Sequence, residues 1–144
     1  MPIKPHPLAG PPRAVHTLVA FAAACFAGTL VLDIVYWRSM AYVWETFSVW
    51  LLTAGLIVAV FAVLAGVADY AVNRRRGVPL RWLRVVAGAI VIVLSIVNAF
   101  VHSRDGYTAV VPTGLTLSAI VFVIMLVTAI VSSIAQRPRA GEIV

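Results

Sequence analysis

Four long stretches of this chain are almost free of charge, and that pattern limits its fold more than any other feature. The first runs from about Val15 to Tyr36, interrupted by Asp33, and the second from about Phe47 to Val72, interrupted by Asp69. The third runs from about Trp82 to Val101 and the fourth from about Thr113 to Ile134. Each reaches the roughly 20 residues a helix needs to cross a bilayer core. Hydrocarbon offers no partner to backbone amides, and the runs are far longer than barrel strands, so helices are expected. Of the 144 residues, 62% are hydrophobic and 11% charged, whereas a soluble domain carries roughly 25% charged residues. The expectation is therefore an all-α, integral membrane four-helix bundle forming a single domain over residues 1–144.

The boundaries support this division. Pro11-Pro12 stands before the first run, Gly77-Val78-Pro79 separates the second from the third, and Pro112-Thr113 opens the fourth. Proline near a helix N-terminus loses an N–H that had no partner there. Short connections make successive spans antiparallel neighbours, in an up-down-up-down order. Lys4, Arg13, Arg74, Arg75, Arg76, Arg81, Arg84, Arg137 and Arg139 then share one side, and only Arg38 and Arg104 take the other. The positive-inside rule predicts that both termini are cytoplasmic.

The net charge of +6 suits positive flanks of membrane spans better than nucleic-acid binding, since no basic stripe or aromatic-basic pattern accompanies it. The single cysteine, Cys25, excludes an intrachain disulfide and reads as a small buried residue within a helix. Small residues recur four apart: Ala20, Ala24 and Gly28 in the first span, then Gly55 with Ala59 and Ala62 with Gly66 in the second. Such stripes let helices approach closely, within the chain or between copies. Trp37, Tyr42 and Trp44 on one side, with Tyr70 and Trp82 on the other, fit interfacial aromatic belts.

Ionisable groups inside a span are costly and raise the question of function. At the outer end, Asp33 should face Ser95, Asn98 and His102, whose i, i+3, i+7 spacing puts them on one helix face. Arg104 and Asp105 follow, and Thr113 and Thr116 open the fourth span nearby. Asp33, Ser95, Asn98, His102, Arg104, Asp105 and Thr116 form an expected ligand-binding cluster, able to exchange protons or hold a polar head group. The alternative is that Asn98, His102 or Arg104 satisfies Asp33 and locks the bundle. At the inner end, His16 and Asp69 should reach the same depth as Arg81 and Arg84. That second polar cluster could orient an imidazole, or could be a set of structural ion pairs.

No catalytic constellation, glycine-rich phosphate loop or metal-ligand spacing stands out. A haem b would need two histidines on facing helices, but His16 and His102 are expected roughly 30 Å apart, at opposite membrane faces. His6 lies in a proline-rich tail that suits ligation poorly. A quinone remains open, since His102 and Asp33 could supply a donor and a proton.

Several of these residues also resemble one family. They are His6-Pro7, His16, Asp33, Gly66-Val67-Ala68-Asp69-Tyr70, Ser103-Arg104-Asp105-Gly106-Tyr107 and the run from Val111-Pro112-Thr113-Gly114 to Ser118. Together they are similar to a bacterial four-helix membrane family, domain of unknown function twenty-two thirty-one, over about His6 to Val131. The resemblance implies a four-helix inner-membrane protein, and the association of some members with quinoprotein dehydrogenase or cytochrome c domains implies electron transfer or quinone contact. The chain departs from the family pattern in the inserted Ala9-Gly10-Pro11-Pro12-Arg13, in Thr17-Leu18 after the second histidine, and in Leu80-Arg81-Trp82. The family often has a histidine at this last place, so His16 lacks that partner.

Three functions follow as expectations. The first is a non-enzymatic membrane module binding lipid, quinone or a membrane partner, such as another copy of itself. The second is an electron-transfer or quinone-reactive subunit of a respiratory dehydrogenase. The third is a small-solute or proton transporter, against which the apolar middle of every span argues.

Overall fold

A computed structural model describes residues 13–72, 80–104 and 110–135. Helix α1 covers Arg13–Ser39, α2 Tyr42–Val72, α3 Leu80–Arg104 and α4 Leu115–Ala135. No strand occurs among the described residues. All four helices are long and apolar enough to cross a membrane, over Ala14–Ser39, Tyr42–Ala71, Trp82–Ser103 and Val111–Ile134.

α2 begins five residues before the expected Phe47 and includes Glu45 in its first turn. A carboxylate there faces the positive end of the helix dipole, so it favours the start of the helix. With 31 residues, α2 rises about 46 Å, longer than a hydrocarbon core of about 30 Å. Its ends therefore reach the interfaces, or the helix tilts.

The α1–α2 connection is set by local bonds. Met40 takes a left-handed conformation (φ 51°), and its N–H donates to the Tyr36 carbonyl at 2.8 Å, which closes the helix in an αL cap. The Ser39 hydroxyl donates to the Val35 carbonyl and accepts the Ala41 N–H. Before α4, Val111 is extended (φ −119°, ψ 123°) within the turn Val110–Gly114. A residue preceding proline is sterically pushed out of the helical region, and Pro112 does this to Val111.

Neighbours in sequence are neighbours in space, and α4 returns to α1, so the helices form a closed ring. Its apolar core is Ala22, Phe26, Leu52, Ala59, Val91 and Val121. The packing is tight where side chains are smallest. A Cβ added at Gly55 would stand 2.8 Å from the Cys25 Cβ, and one at Gly88 would stand 2.7 Å from a Val63 methyl. Gly55 of the α2 stripe thus packs within the chain against α1, with Cys25 buried in that contact, while Gly66 has Val85 of α3 as its neighbour. In α1 the stripe divides, with Gly28 against Leu51 while Ala20 and Ala24 are exposed.

The outside of the ring is apolar. Phe21, Val31, Trp50, Phe61, Leu64, Phe100 and Ile134 are all more than half exposed. A water-soluble protein rarely presents so continuous an apolar surface.

Candidate functional site

The buried face of each helix changes character along its length. In α1 it reads Ala22, Phe26, Thr29, Asp33; in α2 Glu45, Ser48, Leu52, Gly55, Ala59; in α3 Val91, Ser95, Asn98, His102; in α4 Ser118, Val121. Three- and four-residue steps keep each set on one helical face. The buried polar side chains among the described residues all fall at one end: Thr29, Asp33, Glu45, Ser48, Ser95, Asn98, His102 and Ser118. Half of the core is polar, and the other half is hydrocarbon-like.

Asp33 is the centre of the polar half and is wholly inaccessible. Its Oδ1 accepts the Ser48 hydroxyl of α2 and meets Nε2 of His102 in α3 at 3.2 Å. Its Oδ2 accepts the Ser118 hydroxyl of α4 at 2.6 Å. One carboxylate thereby ties its own helix to the other three. Asn98 extends the network, donating from Nδ2 to Ser118 Oγ at 2.8 Å.

The other ring nitrogen of His102, Nδ1, lies 2.9 Å from the Asn98 carbonyl oxygen. A carbonyl only accepts, so Nδ1 carries a hydrogen. Nε2 faces a carboxyl oxygen, so one further proton lies between His102 and Asp33, as an imidazolium–carboxylate pair or as an imidazole accepting from a carboxylic acid. Glu45 is also buried. Gly114 seals the site from the α4 side, since a Cβ there would come 2.9 Å from His102 Cε1 and 3.4 Å from Asn98 Oδ1.

Of the expected outer cluster, the structure brings Asp33, Asn98 and His102 into one bonded network and buries Ser95 on the same face. Thr116 is placed differently. It is exposed, and its hydroxyl donates to the Pro112 carbonyl at 2.7 Å. Two residues turn a helix by about 200°, so with Ser118 facing inward Thr116 faces outward. Arg104 ends α3 and Arg81 stands in its first turn, with their side chains outside the described residues, as is Asp105 entirely. At the inner end His16 is exposed and Asp69 half-buried, while Arg84 donates from Nε to Ser132 Oγ at 2.9 Å, joining α3 to α4.

Sequence reasoning missed Glu45, Ser48 and Thr29 as members of the polar core, and met Ser118 only inside a motif. A signal existed for two of them. Stepping back seven residues from Leu52 and Gly55 reaches Glu45 and Ser48. Among the described residues no group of three or more His, Cys, Asp or Glu side chains is arranged to hold a metal ion.

Four apolar helices enclosing a polar half-core and presenting hydrocarbon-like surfaces outward define a multi-pass membrane protein. A sequence model of the family described as predicted membrane protein (DUF2231) matches residues 12–132, and the chain belongs to that family. No curated protein and no solved structure matches it.

Proposed function

We propose that this protein is a non-enzymatic membrane module, pinned together at one end by Asp33, whose apolar exterior serves lipid and a membrane partner. The observation behind this reading is the closure of the cluster. Both oxygens of Asp33 and both nitrogens of His102 are engaged by the chain's own groups. The two side chains are buried. A ligand site for an organic molecule is ordinarily a cleft of some hundreds of Å³. The space beside Asn98 and Ser118 is too tight even for water.

In this reading the helices alternate in direction, because groups near the end of α1 and α3 meet groups near the start of α2 and α4. The arginine-rich side, with both termini, faces the cytoplasm of a bacterial inner membrane.

The experiment is a visible absorption spectrum of protein purified in mild detergent, with mass spectrometry of its organic extract. A colourless protein carrying only phospholipid is the expected result, and a stoichiometric quinone or a Soret band overturns it. The quinone-reactive reading rests on the shared proton between His102 and Asp33, and it requires this closed cluster to open. Quinol-dependent respiration that is unchanged by Asp33→Asn and by His102→Ala removes it.

A further inference from the structure

At the end of the bundle opposite Asp33, one arginine lies inside a span. Arg84 stands two residues after the third span begins at Trp82, and Ser132 two residues before the fourth ends at Ile134. Two residues rise about 3 Å, so both lie just within the apolar layer. Both are half-buried, and both continue the inward faces of their helices. Arg84 leads to Gly88, Val91 and Ser95 in steps of four, three and four, and Ser132 follows Val121, Met125 and Thr128 in the same rhythm. The arginine is therefore held at the mouth of the bundle, between α3 and α4, instead of trailing along the lipid face.

Hydrogen-bond direction shows what this pair has left to offer. Arg84 uses one N–H, at Nε, on Ser132 Oγ at 2.9 Å. A guanidinium carries five, so those on its two Nη atoms have no partner among the described residues. Ser132 accepts in that bond and keeps its own proton. The other hydroxyls of α4 give theirs away: Thr116 to Pro112, Ser118 to Asp33, Thr128 to Ile124 and Ser133 to Ile130. An arginine fork beside an uncommitted hydroxyl suits phosphate oxygens.

Charge points the same way. The only ion pair among the described side chains joins Asp33 and His102, at the opposite end. Asp69, half-buried in the last turn of α2, forms none with Arg84. Arg13 and Arg81 stand in the first turns of α1 and α3, and Arg74, Arg75, Arg76 and Arg137 adjoin this end in the sequence. Exposed Trp82, Leu83 and Val86 flank Arg84 on α3, with apolar surface beyond them for acyl chains. A free phosphate gains nothing from that surface, whereas a phospholipid does. Basic pockets between spans hold anionic head groups in this way.

We propose that Arg84 and Ser132 bind the phosphate of an anionic phospholipid, such as phosphatidylglycerol, at the mouth between α3 and α4. The proposal rests on the reading of the chain as a lipid-embedded module, and gives that module a head-group preference and a place for it.

The test uses Trp82 as reporter. Trp37, Trp44 and Trp50 are exposed, so changing all three to phenylalanine leaves Trp82 as the one tryptophan. The full-length protein is reconstituted in vesicles of phosphatidylcholine and phosphatidylglycerol, with one lipid or the other brominated on its acyl chains. Quenching then gives the relative affinity of the two lipids beside Trp82. The expected result is a preference of about fivefold for phosphatidylglycerol, the scale of one arginine at an anionic surface. Arg84→Gln should remove most of that preference, and Ser132→Ala, which keeps the charge but frees the fork, should weaken it. Ser132→Ala also keeps the test available should Arg84→Gln not fold. Inorganic phosphate added to the native protein should leave the preference intact. Equal quenching by both lipids overturns the proposal, as does a preference unchanged in both variants, which belongs to the other arginines. Loss of the preference in inorganic phosphate overturns the lipid as occupant. None of these failures touches the module reading, which falls only to a bound quinone or a Soret band.

Discussion

At the residue scale, the weight of Asp33 comes from the number of its partners rather than from any single bond. An interhelical hydrogen bond in a membrane protein contributes about 0.6 kcal/mol on average and up to about 1.7. Ser48→Ala removes one donor from a carboxylate that keeps two others, so it should cost about 0.5–1.5 kcal/mol. Asp33→Ala strips the shared acceptor from Ser48, Ser118 and His102 at once and should cost about 2–4 kcal/mol. Unfolding titrations in mixed micelles measure both, and equal losses would show that Asp33 is not the shared centre. Gly114 offers a second residue-scale test. Gly114→Ala drives a methyl into the His102 ring, whose position is fixed by Asp33 and Asn98, and should cost about 1–3 kcal/mol. Gly66→Ala is the control, because its new methyl finds its nearest neighbour, Val85, at 3.9 Å. There the gain in helix stability of about 0.5–1 kcal/mol should prevail.

At the element scale, helix existence was legible and helix ends less so. The four apolar runs predict four helices, and each helix is present. α2 starts ahead of the apolar run that opens at about Phe47, and Glu45 sits in its first turn beside the helix dipole. The αL cap at Met40 had no signature, because that position usually carries glycine. Met40→Gly should therefore stabilise the protein by about 0.5–1 kcal/mol, by relieving the left-handed backbone. A raised thermal midpoint checks it, and a lowered one would mean that the exposed Met40 side chain contributes more than its backbone costs.

At the scale of the whole molecule, the bundle separates two functions of a membrane interior. One half packs by small residues, Gly55, Ala59, Ala62 and Gly88, and the other by hydrogen bonds around Asp33. The proposed orientation can be tested directly. The one cysteine, Cys25, is buried, so an impermeant maleimide should leave intact cells carrying the native protein unlabelled at this site. In a Cys25→Ala background, Arg38→Cys should react in intact cells and Arg76→Cys only after the membrane is opened. The reverse pattern would invert the topology.

What the sequence determined by itself is the membrane-spanning, four-helix character of the chain. In lipid every backbone group must be satisfied within its own helix, so a span is a local property that composition and length reveal. The face shared by Ser95, Asn98 and His102 was likewise legible, because it follows from helical spacing within one segment. Which polar groups meet was decided only by the tertiary structure. Ser48 and Ser118 join Asp33, and Thr116 turns away, because the relative rotation and depth of four packed helices fix those distances. These are set by close approach at Gly55, Gly88 and Gly114, contacts between residues far apart in the chain that no periodicity within one helix contains.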